Sequence, residues 1–200
     1  MIWAAKIAGC PTSSIKDFSA SINPWGIPQT VITAIEEDIP RLVSYPNPDY
    51  PRLRNCLAKE CGVGAEYILP GNGSSELLTW VARDLAQQEV NYLIVPAFGD
   101  YYRALRAFGA NTEVLQGELP FEDLKTLIPE KVASNSGLLL NNPHNPTGKL
   151  WQKQEIIPYL SQFALVAIDE AFMDFLPPSQ QQSLIAVSYT HLTLPTIYSV

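Results

Sequence analysis

Ala164-Leu165-Val166-Ala167-Ile168-Asp169-Glu170-Ala171-Phe172 runs a stretch of apolar residues straight into two acids. A short, unbroken apolar run bounded in this way reads as a buried strand. An acid directly after it is costly unless it is paired or solvated. In open parallel sheets ligands bind outside the carboxyl ends of the strands, so Asp169 stands where a ligand-facing carboxylate belongs. The alternatives are a helix N-cap or a strand-end acid at the surface. Working outward, similar short apolar or β-branched runs fall at residues 67–69, 92–95, 112–115 and 138–140, each bounded by Gly, Pro or Asn.

Between these runs lie helical patterns. Residues 75–88 place Leu77, Leu78, Val81, Ala82 and Leu85 on one face. Residues 100–108 begin with Asp100, a residue type suited to the N-cap. A short pattern covers 119–128, and the one over 151–162 contains Pro158, which predicts a kink or an end. Repeated strand–helix units predict an α/β fold with three layers, α/β/α, around a mainly parallel sheet.

Residues 1–66 differ, with Pro24, Pro28, Pro46, Pro48 and Pro51 around two helical patterns near 29–39 and 49–61. The expected organisation is an N-terminal arm with helices over 1–66, a main domain over 67–178 and a non-native tail over 187–200. The tail is set apart by Ser188-Tyr189-Thr190-His191-Leu192-Thr193-Leu194-Pro195-Thr196, which has no helical period and resembles translated adapter sequence at the ends of assembled gene fragments.

Composition narrows the function classes. Of 200 residues, 46% are hydrophobic and 16% charged, ordinary values for a globular protein. A net charge of −7 argues against nucleic acid, whose phosphates demand a basic face. Cys10, Cys56 and Cys61 with His144 and His191 suggest neither a disulfide framework nor a zinc site. Ile7-Ala8-Gly9-Cys10 lacks the long apolar lead of a signal peptide, and no apolar run approaches the ~20 residues that span a bilayer. The expectation is a cytoplasmic protein that uses no membrane.

Three loops carry candidate chemistry. Gly71-Asn72-Gly73-Ser74-Ser75-Glu76 opens a helix, so its backbone N–H groups and the Ser74 and Ser75 hydroxyls form either a phosphate cup or a tight turn with a serine N-cap. Glu76 stands where a dinucleotide fingerprint has its third glycine. In Pro96-Ala97-Phe98-Gly99-Asp100-Tyr101-Tyr102 an aromatic ring either stacks on a flat cofactor or packs in the core. In Asn142-Pro143-His144-Asn145-Pro146-Thr147-Gly148 the Asn145 amide either bonds a ring substituent or holds the turn, and His144 reads as a loop residue.

In this order, the motifs resemble the aspartate-aminotransferase superfamily, whose large domain is the pyridoxal-phosphate (PLP) dependent fold type I. The similarity spans residues 14–178, in the branch that holds histidinol-phosphate aminotransferase and threonine-phosphate decarboxylase. Asp17-Phe18-Ser19-Ala20-Ser21-Ile22-Asn23-Pro24-Trp25-Gly26-Ile27-Pro28 and Asp169-Glu170-Ala171-Phe172-Met173-Asp174-Phe175 resemble the decarboxylase more. The resemblance implies that Gly73, Ser74 and Ser75 hold the PLP phosphate, Tyr101 stacks on the ring, and Asn145 bonds the phenolic oxygen or the substrate. It makes Asp169 the catalytic partner of the pyridine nitrogen. Tyr45 would reach a partner subunit's cofactor across a homodimer, and Ser21 would touch an amino-acid phosphate substrate.

Ser21 replaces the family's more usual asparagine, and Phe172 stands where the aminotransferase has a tyrosine. Lys6, Lys16, Lys59, Lys125, Lys131, Lys149 and Lys153 match none of the family's Schiff-base lysine segment. The implied function is therefore a fragment, inactive alone, of a decarboxylase of L-threonine O-3-phosphate in cobalamin side-chain synthesis. A histidinol-phosphate aminotransferase and a non-catalytic phosphate- or nucleotide-binding module are the rivals. In that fold the strand at 67–69 lacks its neighbour, which predicts an incomplete sheet and weak stability.

Overall fold

The computed structural model describes residues 2–16, 23, 25–121, 123–185 and 187. The chain divides into two units, Met1–Asn47 and Pro48 onward. The first contains α1 (Ile2–Ala8) and α2 (Gln29–Asp38), with α2 running into a 3-10 turn at Ile39–Val43. Its apolar residues Ile35, Ile39, Leu42 and Val43 are exposed.

The second unit begins with α3 (Pro51–Cys61), whose first residue is a proline, the position where a missing N–H costs nothing. Then come α4 (Ser74–Leu85), β1 (Val90–Val95), α5 (Gly99–Ala107), β2 (Thr112–Gln116), α6 (Leu124–Leu127), β3 (Ser136–Asn141), α7 (Lys153–Ile156) and β4 (Leu165–Asp169). The four strands form one sheet in the order β2-β1-β3-β4, and every neighbouring pair is parallel.

Alternation along the strands builds the layers. Tyr92, Ile94, Leu138, Leu140, Val166 and Ile168 point into a core shared with Trp151, Ile156, Leu160 and the α6 leucines. Leu93, Leu139 and Ala167 point the other way, against Leu78, Val81, Ala82 and Leu85 of α4 and Tyr101, Ala104 and Leu105 of α5. The unit is thus three-layered α/β/α, as the sequence pattern predicts. Both faces of β1, β3 and β4 are covered, so these strands read as mostly apolar runs, whereas edge strand β2 buries only Leu115.

Several boundaries differ from the sequence reading. Residues 67–69 form no strand. Ala65–Tyr67 is a 3-10 turn, and Ile68 alone buries its side chain, packing with Ala58 and Leu77. The expectation of an unpaired first strand therefore falls away. Because α3 joins this cluster, and Arg54 donates two bonds to the Ala65 carbonyl, α3 groups with the sheet rather than with the arm. Phe98, not Asp100, occupies the N-cap position of α5. The pattern at 119–128 yields only α6. At 151–162, α7 gives way to a 3-10 turn, Ile157–Ser161, with Pro158 near its start. Of the expected tail, all but Val187 lies outside the described residues.

Candidate functional site

Parallel strands put the carboxyl ends of β1, β3 and β4 on one edge of the sheet, and the candidate residues gather there. Asn141 and Asp169 are register partners at the ends of β3 and β4. Asp169 is 9% exposed. Its Oδ2 accepts a hydrogen bond of 2.7 Å from the Tyr101 hydroxyl, and its Oδ1 accepts one of 2.9 Å from the Ala171 N–H. Its backbone carbonyl accepts bonds from the Asn141 side-chain amide, 3.0 Å, and from the Asn142 N–H, 2.9 Å. Burial first, then the Asp169 charge and the bond to it, push the Tyr101 hydroxyl far above the ordinary tyrosine range. Tyr101 therefore stays protonated and donates.

The loop after β3 is tied back at both ends. The Asn141 side-chain oxygen accepts the Asn145 N–H, which fixes the turn above the strand end. The fully buried Asn142 amide spans the backbone of Trp151, accepting from its N–H and donating to its carbonyl, both at 3.0 Å. Asn145 itself is half-buried.

On the other side of the sheet, Gly73 adopts φ +77°, a backbone that a side chain would strain. This bend lets α4 begin at Ser74 with its first N–H groups free of intrahelical partners. Glu76 reaches back to accept from the Asn72 N–H and side-chain amide, which closes the turn. The Ser75 hydroxyl donates to Asp100 at 3.2 Å, and Arg103 donates to the same carboxylate at 3.1 Å. The Arg103 bond leads the causes that hold Asp100 below the usual carboxylate range. Ser75, Asp100, Tyr101, Asp169, Asn141 and Asn145 thus form one path along the sheet edge.

The sequence-derived candidates divide accordingly. Gly73, Ser74, Ser75, Asn145 and Asp169 lie around this edge. Tyr101 lies beside Asp169, but its ring is 2% exposed and offers no open face for stacking. Phe98, where β1 hands over to α5, is 39% exposed and packs edge-on against Tyr101 with centroids 5.6 Å apart. Tyr45 is fully exposed and belongs to the other unit. Ser21 lies outside the described residues. Local sequence patterns had not singled out Phe98, Asn141 or Asn142. For Asn141 and Asn142 the signal was the polar pair directly after three leucines, and for Phe98 it was the aromatic segment 96–102, which left open which ring would stack. Among the described residues no group of acids, cysteines and histidines could hold a metal, and no helix is long and apolar enough to cross a membrane.

A parallel sheet with an acid and an amide at adjacent strand ends, beside a glycine turn that opens a helix, defines an α/β protein whose polar groups gather at one sheet edge. A sequence model of Aminotransferase class I and II matches residues 14–196, and the chain belongs to that family, which is PLP-dependent. It is 33% identical over 186 residues to threonine-phosphate decarboxylase of Salmonella typhimurium, covering 87% of this chain and 49% of that one. The histidinol-phosphate aminotransferase of Clostridium acetobutylicum superposes with a TM-score of 0.70 at 26% identity, covering 86% of this chain and 52% of the other. The enzyme of that name from Sinorhizobium meliloti, solved with pyridoxal-5'-phosphate, gives a TM-score of 0.67 at 20% identity over 79% and 44% of the two chains. The chain spans about half the length of these relatives.

Proposed function

We propose that this chain is part of a PLP-dependent decarboxylase acting on L-threonine O-3-phosphate, a cytoplasmic homodimer serving cobalamin side-chain synthesis. The observation that carries the reading is Asp169, a carboxylate 9% exposed at a strand end, with two donors on its side-chain oxygens. A carboxylate offers about four lone-pair sites, so it has room for one more N–H donor. A protonated pyridine nitrogen would supply such a donor and match the carboxylate in charge.

When bound, PLP supplies a ring that draws electrons out of the bonds at the substrate's α-carbon. Asp169 would hold the proton on the ring nitrogen, with Tyr101 fixing its orientation. Gly73, Ser74 and Ser75 would take the phosphate at the amino end of α4, where backbone N–H groups and the helix dipole favour an anion. Phe98, with its half-open face, takes the stacking role first given to Tyr101. Asn145 would orient the phenolic oxygen or the substrate. Tyr45 and Ser21 keep the roles the family resemblance implies, at a partner's cofactor and at the substrate.

The arm sequence at 17–28 and the similarity to threonine-phosphate decarboxylase favour decarboxylation. The superposition on histidinol-phosphate aminotransferase supports amino transfer as the second reading. Because none of the lysines fits the Schiff-base segment, the 200-residue chain should release no CO₂ from threonine phosphate by itself. The test has two steps. PLP titration of the chain, read by ring absorbance, should give saturable binding that Asp169→Asn weakens about tenfold or more, the worth of one charged hydrogen bond. Equal binding by wild type and variant would sink the site. The gene read past the codon for Ala186, and its product assayed for CO₂ release and for transfer to 2-oxoglutarate, then separates the two activities.

A further inference from the structure

His144 is the buried group that the proposed chemistry leaves unused. It is 3% exposed and lies in an aromatic box, edge-on to Phe121 at 5.3 Å and to Trp151 at 5.4 Å. Its Nδ1 sits 2.8 Å from the Thr147 hydroxyl, and its ring also bonds the backbone of Ile94, near the carboxyl end of β1. A carbonyl can only accept, so the Ile94 contact requires a ring N–H there. Nδ1 is left as the acceptor of the Thr147 hydroxyl proton. The Thr147 oxygen in turn accepts the Lys149 N–H at 3.3 Å. The His144 backbone N–H donates to the Lys149 carbonyl, and the Gly148 N–H to the His144 carbonyl, so the turn closes on itself around this ring.

We infer that His144, held as its neutral Nε2–H tautomer, is the positioning residue that braces the Asn145 turn against the end of β1. Its neighbour Asn145 is then pinned from the other side by Asn141. A protonated ring would turn Nδ1 into a donor to the Thr147 oxygen, reversing that bond, and would place a charge in an aromatic box that holds no acid to balance it. The groups packed on the ring, namely Phe121, Trp151, the Thr147 hydroxyl and the Ile94 backbone, carry no charge. Burial is the leading cause that lowers its pKa, which keeps the ring in its neutral form at neutral pH. Only in calling Asn145 a cofactor contact does the inference rest on the proposed function.

The test uses the full chain without ligand. His144 and His191 are its only histidines, so a long-range ¹H–¹⁵N spectrum of the imidazoles holds two spin systems, and His191→Gln assigns them. His144 should be a single Nε2–H tautomer at pH 7 and titrate below the ordinary value of about 6.5. Thr147→Val should speed hydrogen exchange of the Asn145 amide about fivefold, the worth of one neutral bond, and Thr147→Ser should restore it. An averaged tautomer mixture, an Nδ1–H form, or Asn145 exchange unchanged in Thr147→Val would overturn the inference. The wild-type spectrum decides even if a variant fails to fold. Neither readout involves PLP, so a chain that binds none counts against the proposed function alone.

Discussion

Replacing Tyr101 by Phe removes one oxygen and leaves the ring in place. The hydroxyl donates to Asp169 over 2.7 Å, and the two residues are 2% and 9% exposed. At that burial, solvent screening is slight and water is poorly placed to substitute. A hydrogen bond to a charged group contributes about 1.5–3 kcal/mol. Because the ring keeps its packing against Phe98 and the α4 leucines, no cavity cost adds to this. The folding equilibrium should therefore fall about 10- to 150-fold.

Urea denaturation at pH 7, followed by circular dichroism, measures the loss directly, with the slope unchanged because the same surface is exposed. Asp169→Asn supplies the control. With a neutral acceptor, the same hydroxyl is worth only about 0.5–1.5 kcal/mol, so Tyr101→Phe should cost less in that background. An equal cost in both backgrounds, or a loss below about 0.5 kcal/mol in wild type, would show that the carboxylate does not depend on Tyr101.

Three further substitutions probe the scaffold around the site. A Cβ at Gly137 would collide with the Asn91 amide oxygen and lie 2.6 Å from Leu85 Cδ2, so Gly137→Ala should lose about 1–3 kcal/mol of stability in urea, and a neutral result would show that α4 shifts freely. Asn142→Ala strips two bonds from the buried backbone of Trp151 and should cost at least about 2 kcal/mol in thermal denaturation, whereas a loss under about 1 would mean another group takes over. Burial raises the Glu170 pKa above its unfolded value, so ionising it costs stability as pH climbs through the folded pKa and costs nothing below the unfolded one. Glu170→Gln keeps an acceptor for the Leu184 N–H and should be more stable than wild type at pH 7, the gain vanishing as pH falls toward 4, while a pH-independent difference would refute this.

β1, β3 and β4 were legible because both of their faces are covered, which makes them mostly apolar runs, while edge strand β2 showed only through Val114 and Leu115. Residues 67–69 have the same apolar character, yet Tyr67 and Leu69 are 71% and 47% exposed and only Ile68 turns inward. Three residues are too few for periodicity to separate one anchored side chain from a strand. Asp169 was visible as an acid that interrupts an apolar run. Tyr101's bond to it was not, because that pair spans 68 positions, and Asn141 reaches the Asp169 carbonyl across 28. No local pattern encodes which distant strand end a polar side chain will meet.

The bonding around the two adjacent acids separates a site from a scaffold. The Asp169 carboxylate is held by the Tyr101 hydroxyl from α5 and by its own turn through Ala171, while Asn141 and Asn142 from the end of β3 hold its backbone carbonyl. A strand-end carboxylate that only met solvent would need neither side-chain bond, since water satisfies it without ordering a second element. Fixing a carboxylate to this degree costs conformational entropy and gains its orientation. Glu170, one residue on and 6% exposed, instead accepts the Leu184 N–H at 2.8 Å and so ties the segment that buries Leu184 against the sheet. The pair thus splits into an oriented acid with acceptor capacity to spare and an acid committed to the fold. This is why substitution of Asp169 should register in ligand binding, and substitution of Glu170 in the pH dependence of stability.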